Sequence, residues 1–399
     1  MRKSFYFVPV IFLLSFLIVG CGGGGGGGTS PSPAPTVICN SPAGAANQMP
    51  VCYTGSEGAI NISYVTVYIN NKPFNLLLDT GATGILVNQS ALQAAGINMA
   101  ANSNTFSGSF ADGTTFGGFV NGAQVSTMAS GGLSTSSNFP IAVNTSGNAF
   151  PSSGFLQGDC GMGLSNFFSF GLSGGGTMAT PSFVQGLTTD NNGFVMSLPP
   201  NLNTDGYSYS GSGQLTFGLT SGNTSGFTFF PNDPVQSQSF PVLDSEFGGL
   251  SNNPAGRPYT SVLDTGSNFI FMENSAIANA LGMGEGALSQ IEYNLSSNTP
   301  LVGSTTLIKG GKSLSVGFYT GSGFDNSAGF TTSPNDSGVN FEFPQSVFTG
   351  VPSGGYLLIG DIITPQSDGG GQQLMGLPYL FSPQMFWQVS PYGIGIQIP

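Results

Sequence analysis

The tripeptide Asp-Thr-Gly occurs twice in this chain, and each copy closes an apolar run. Asp79-Thr80-Gly81 follows Leu76-Leu77-Leu78, and Asp264-Thr265-Gly266 follows Val262-Leu263. A further apolar run comes after each: Ile85-Leu86-Val87 in the first, Phe269-Ile270-Phe271-Met272 in the second. A carboxylate at the end of a buried strand is costly unless something compensates its charge. Two such strands, nearly half the chain apart, imply two half-molecules that each bring one aspartate to a shared site. Two carboxylates sharing one proton can activate a water and protonate a leaving group. The pattern points to hydrolysis of a peptide bond, with Asp79 and Asp264 as the candidate catalytic pair.

Composition removes most competing chemistries. The chain has no histidine, which excludes the Ser-His-Asp triad, the Cys-His pair and histidine-ligated metal sites together. No metal and no cofactor is expected. Acidic residues number 18 and basic residues 6, for a formal net charge of -12. Lys72, Arg257, Lys309 and Lys312 cannot assemble a basic patch, so no nucleic-acid partner is expected. Only 6% of residues are charged, against 63 glycines and 33 phenylalanines. That balance fits a β-rich exported protein with many turns and a surface of Ser, Thr, Asn and Gly. Few ionisable groups also means little change of charge on acidification, which suits work at low pH.

The N-terminus reads as an export signal. Arg2-Lys3 is its positive region, and the apolar run from Phe5 to Val19 is too short for a comfortable membrane span. The run ends Leu17-Ile18-Val19-Gly20-Cys21, which resembles the lipobox of bacterial lipoproteins. The resemblance implies that 1–21 is a signal peptide with a diacylated Cys21 at its end. Gly22 to Gly28, then Thr29-Ser30-Pro31-Ser32-Pro33-Ala34-Pro35, open a Gly/Ser/Pro-rich tether over 22–46. Gly22 is not the inner-membrane retention residue of enteric bacteria, so the outer membrane is the expected location. Cys39 and Cys52 are close enough in sequence to bridge, and an exported chain can keep the bond. Cys160 reads as a small buried hydrophobe.

The remainder reads as mainly β. Ile62 to Ile69 alternates as a strand and Pro73 to Leu78 leads into Asp79. Thr105 to Ala111, Thr114 to Val120 and Ala123 to Met128 form a meander, with turns predicted at Asp112-Gly113 and Asn121-Gly122. Short helices are predicted at Ser90 to Ala95, at Pro181 to Leu187 with Pro in the first turn, and at Ser275 to Leu281. Strands are expected at Phe139 to Val143, Phe194 to Leu198, Gln214 to Gly218, Leu301 to Ile308, Leu314 to Tyr319, Tyr356 to Ile359, Met385 to Val389 and Tyr392 to Ile398.

In this order of landmarks the chain resembles the pepsin-type aspartic peptidases. The Asp-Thr-Gly pairs match their active-site loops, and Phe106 to Thr114 resembles their flap hairpin, here within 105–120. Cys160-Gly161-Met162-Gly163-Leu164 and Leu374-Met375-Gly376-Leu377 resemble the apolar-apolar-Gly stretches beneath the two loops. The whole is also similar to bacterial lipoproteins that share the two-Asp pattern and a segment such as Gly376-Leu377-Pro378-Tyr379. The resemblance implies a bilobal fold, with lobes at 47–220 and 221–399 and a cleft between them. It implies that Thr80 and Thr265 hydrogen-bond across the lobe interface. Gly81 and Gly266 would let backbone N–H groups approach the carboxylates, and Ser267 would support the second loop. Phe110, Asp112 and Gly113 would form the flap over a peptide or unfolded-protein substrate, in a monomer held to the membrane at Cys21.

Three positions depart from that family. Ala82 replaces the hydroxyl residue after the first motif, Phe110 takes the place of the flap Tyr, and Leu86 that of a Trp. Residues 22 to 60 hold no Lys or Arg, so a basic segment covering the cleft is not expected. The alternative reading is a weak or inactive member whose cleft only binds peptide or protein.

Overall fold

A hairpin places the first aspartate. The strands Ile62–Ile69 and Lys72–Asp79 pair from Ile69↔Lys72 to Tyr64↔Leu77. Asn70 and Asn71 join them with φ of 47° and 65°, the left-handed conformation that a two-residue hairpin needs and that Asn tolerates. The computed structural model describes residues 39, 44–56, 62–110, 114–150, 155–164, 169–171, 177–198, 208–232, 242–247, 250–254, 256, 258–267, 270–273, 275–276, 279, 301–309, 312–320, 339–343, 357–366, 372–375 and 384–397. Among them, a 14-stranded mixed sheet and a closed barrel account for most strands.

Each half builds its Asp-Thr-Gly loop in the same way. Lys72–Asp79 runs parallel to Gly158–Met162, with Leu78 opposite Cys160 and Asp79 opposite Gly161. Thr83–Asn88 then pairs antiparallel with the other side of Gly158–Met162. The chain must cross the end of that central strand between Asp79 and Thr83, and the motif is the crossing. In the second half Thr260–Leu263 runs parallel to Gln372–Met375, and Ile270–Glu273 pairs antiparallel with it. Strands sandwiched this way are apolar on both faces, and every residue of Thr83–Asn88 is buried.

The chain end returns to the first half. Gln384–Gln388 pairs with Gly193–Ser197, Gly393–Gln397 pairs with Gln384–Gln388, and Thr228–Pro231 with Gly393–Gln397. Phe194 lies opposite Trp387, and their buried rings stack at 5.1 Å. One hydrophobic core runs from Met49 and Phe74 to Tyr259, Leu263 and Ile396, so the halves share an interior.

Two local expectations are overturned. Asn121-Gly122 is no turn: both residues lie inside the strand Thr115–Ala123, opposite Ile141 and Pro140 of Phe139–Gly147. The partner strand continues the ladder past the dipeptide, and ladder pairing outweighs the local turn preference. Pro181 is not in a first helical turn either. The helix is Phe183–Gly186, capped by Ser182, whose hydroxyl accepts the Gln185 N–H while the Gln185 side chain accepts the Ser182 N–H. The helix expected at Ser90 is found as Gln89–Ala94. Ser275 and Ala276 begin a helical turn, but most of that predicted helix lies outside the described residues.

Cys39 and Cys52 are bridged, with a sequence separation of 13. Cys52 is in Gln48–Ser56, and the Cys39 N–H donates to the Thr66 hydroxyl, so the bridge ties the entering chain to the sheet. Replacing both cysteines by Ser is expected to lower stability by about 3 kcal/mol, the scale for a loop of this length. Urea denaturation of oxidised wild type beside the double variant measures it.

Candidate active site

Thr80 and Thr265 bring the two loops together, each almost wholly buried. The Thr80 N–H donates to Thr265 Oγ1 at 3.0 Å, and the Thr265 N–H to Thr80 Oγ1 at 3.0 Å. Each hydroxyl then donates across the interface, Thr80 to the Leu263 carbonyl at 2.8 Å and Thr265 to the Leu78 carbonyl at 2.7 Å. Ser63 adds its hydroxyl to the Thr265 carbonyl at 3.2 Å. Sequence reasoning missed Ser63, since a serine in an alternating strand carries no signal of its own.

The clasp fixes the aspartates. Asp79 Oδ1 accepts the Gly81 N–H at 2.7 Å, and Asp264 Oδ1 accepts the Gly266 N–H at 2.8 Å. The glycines also let each loop touch the opposite carboxyl. A Cβ on Gly81 would lie 2.5 Å from Asp264 Cγ, and one on Gly266 would lie 2.4 Å from Asp79 Cγ. No side chain fits in either place. The two carboxyls are consequently in hydrogen-bonding contact with each other, and only 6% and 9% of Asp79 and Asp264 is exposed.

A third carboxyl belongs to this cluster. Asp159 lies on Gly158–Met162 opposite Leu77, two residues before Gly161, the position opposite Asp79. It is 3% exposed, and neither of its oxygens meets an N–H or O–H donor of the protein. The group facing it is the Asp79 carboxyl. The signal for Asp159 was present in the sequence: a carboxylate in an apolar, Gly-rich run, the same feature that marks Asp79.

Burial dominates the electrostatics. It pushes both Asp79 and Asp159 from the ordinary 3.8 up to about 8, with the neighbouring carboxylates adding repulsion. Asp264 is raised well above its usual range by burial and by Asp79. The Gly81 and Gly266 N–H bonds act against these shifts, since they favour the ionised forms. The Cys160 thiol, buried next to this charge, is held in its neutral and unreactive form.

The hairpin expected to be the flap pairs Thr105–Ser109 with Thr115–Ala123, and the Phe110 N–H donates to the Thr114 carbonyl at 2.9 Å. Aromatic rings pack along it. Half-buried Phe110 meets Phe116 at 4.8 Å and Phe150 at 5.7 Å, against Leu86, Phe106 and Val120. Asp112 and Gly113 lie outside the described residues, as does Cys21. Ala82 follows the first motif and Ser267 the second, and the Ser267 N–H donates to the Asp264 carbonyl. Among the described residues no group of His, Cys, Asp and Glu is arranged to hold a metal ion.

The comparisons with known proteins agree with this geometry. The family model described as gag-polyprotein putative aspartyl protease matches residues 65–149, which hold the first motif and the flap hairpin. The aspartic proteinase from Irpex lacteus is similar in structure, at 17% identity and a TM-score of 0.54, over 88% of this chain and 97% of that one. The chain thus has the mainly β, bilobal fold of the pepsin-like aspartic proteinases. No curated protein sequence matches it.

Two outcomes follow from the clasp and the buried acids. Thr80→Val removes the acceptor of one buried N–H and the donor of one buried carbonyl, and is expected to cost about 2–4 kcal/mol. Thr265→Val is expected to cost a similar amount, and the double variant less than the sum, because either loss already separates the loops. Urea denaturation of the three variants checks this. The pH dependence runs opposite to that of an ordinary aspartate. Burial makes the folded carboxyl cluster around Asp79 and Asp159 retain protons toward about pH 8 that the unfolded chain releases near 3.8. Stability from these groups is complete below about pH 4 and is lost as pH rises through the folded value, by up to about 1.4 kcal/mol per pH unit for each retained proton. Thermal melts between those limits are expected to show a falling Tm, with a shallower fall in Asp159→Asn.

Proposed function

We propose that this protein is an aspartic endopeptidase that cleaves peptide bonds with water activated between Asp79 and Asp264. The observation that carries the reading is the reciprocal Thr80–Thr265 clasp, which holds two buried carboxyls in mutual contact. In the working state one carboxyl is ionised and the other protonated. The ionised Asp79 takes a proton from water as its oxygen attacks the scissile carbonyl carbon. The protonated Asp264 donates to the carbonyl oxygen, whose charge grows in that step. Collapse of the tetrahedral intermediate breaks the C–N bond, and the proton gained by Asp79 passes to the leaving amine. The aromatic cluster of the hairpin, around Phe110 and Phe116, supports a preference for apolar side chains beside the cut bond. Because burial raises the carboxyls, the single ionisation required occurs at higher pH than for an exposed aspartate.

We further propose that the enzyme works at the outer membrane, anchored through a lipid on Cys21 with residues 22–46 as tether. A second reading, a cleft that binds peptide without cutting it, is favoured by one feature. Neither Ala82 nor Phe110 offers the hydroxyl that the resembling peptidases carry there.

Cleavage of an unfolded protein by residues 29–399, from about pH 4 to 8, separates the two readings. Asp79→Asn and Asp264→Asn are each expected to lower kcat at least about a thousandfold with the fold retained by circular dichroism. No turnover by the folded wild type against a broad peptide library would leave the binding reading.

A further inference from the structure

The two loops are built alike, yet their surroundings differ at two positions. The second motif is followed by a hydroxyl, Ser267, and the first by Ala82. In the parallel registers, the residue opposite Leu77, one step before Leu78 and Asp79, is Asp159. The corresponding residue of the second half, opposite Val262 and one step before Leu263 and Asp264, is Leu374. The first half has therefore lost a hydroxyl and gained a carboxyl on the strand beside its aspartate.

We propose that Asp159 is a positioning residue that carries a proton and donates its O–H to Asp79, holding Asp79 as the ionised, water-activating member of the pair. The placement of the proton follows from counting donors. Asp79 and Asp159 face each other as two acceptors, and that contact is stable only with a proton between them. Asp79 already accepts the Gly81 N–H and touches the Asp264 carboxyl, so a negative charge there has donors on two sides. Asp159 has no other donor and is 3% exposed, so a negative charge there would have neither water nor a partner. The anion belongs on Asp79 and the proton on Asp159. Burial raises both acids alike, and their mutual contact raises Asp79 and lowers Asp159, so the placement rests on the count of donors alone.

The charged and titratable groups around Asp159 offer no competing arrangement. Asp79 faces it from Lys72–Asp79, and Asp264 acts on it from the second half. Cys160 is its neighbour and is neutral. Thr83–Asn88 and Phe183–Gly186 contain no titratable residue. Lys72 is exposed at the far end of its strand, about 17 Å from Leu77 at the rise of a β-strand. Among the described residues no cation approaches the trio.

The catalytic part of this inference rests on the peptidase reading above, whereas the position of the proton does not. Two measurements keep them apart. First, infrared difference spectra of wild type minus Asp159→Asn at mildly acidic pH are expected to show the C=O band of a protonated carboxyl. Bands of an ionised carboxylate would overturn the proposal, whether or not the protein cuts peptides. Second, the acid limb of the pH profile of kcat/KM is read in three variants. Asp159→Leu, which installs the residue of the second half, is expected to move that limb upward by at least about half a pH unit, since Asp79 loses a donor. Asp159→Asn keeps a donor and is expected to leave the limb in place. Ala82→Ser combined with Asp159→Leu is expected to bring it back. A role in packing alone predicts lower activity at every pH with an unmoved limb, and that result would also overturn the proposal. If Asp159→Leu fails to fold, the infrared comparison on Asp159→Asn decides.

Discussion

Four hydrogen bonds made by two threonines, two to each other and two to the carbonyls of Leu263 and Leu78, hold the centre of this protein together. Each joins a group of one half to a group of the other, and each satisfies a backbone or hydroxyl group that burial would otherwise leave unpaired. This matters because the residues next to them in sequence are carboxylic acids. Two acids in a dry interior repel when ionised, and nothing in their own interaction holds them in place. The threonines supply the attachment, and the carboxyls are carried along at fixed separation. The missing side chains of Gly81 and Gly266 complete the arrangement, because a single Cβ on either would overlap the opposite carboxyl.

The same design separates strength from chemistry. The clasp is symmetric and charge-neutral, so protonation of the acids leaves it intact. The acids are raised by burial, and the Gly81 and Gly266 N–H groups act to stabilise an anion. A third acid, Asp159, makes the first half more crowded with proton-holding groups than the second, where the corresponding position is Leu374. Symmetry of the backbone with asymmetry of the side chains is what a pair of unequal roles requires. One carboxyl must be ionised while its partner keeps a proton.

Legibility in the sequence followed burial. The apolar runs that end in Asp79 and Asp264 were visible because a central strand is apolar on both faces and a carboxylate in it is conspicuous. Asp159 has the same character, yet its run is broken by Gly158, Gly161 and Gly163, and the glycines conceal its strand. Asn121-Gly122 misled in the other direction. Its turn preference is real for an isolated peptide, but the strand Phe139–Gly147 lies alongside and claims the hydrogen bonds. Ser63 could not be read at all, since its importance comes from a contact with Thr265 in the other half of the chain.

The sequence by itself determined which side chains are available for chemistry and the two places where paired carboxylates occur. Without histidine and with few cations, paired carboxylates were the remaining candidates, and the repeated motif named them. It also determined the β character, through alternation and apolar runs, since these are local properties of neighbouring residues. The tertiary structure alone decided how the halves meet: which carbonyl each threonine hydroxyl reaches, which carboxyl each glycine faces, and that Asp159 joins the pair. Such contacts link residues separated by tens to nearly two hundred positions. Their energies depend on distance, burial and the count of available donors, and none of these is a property of a residue or its neighbours until the chain has folded.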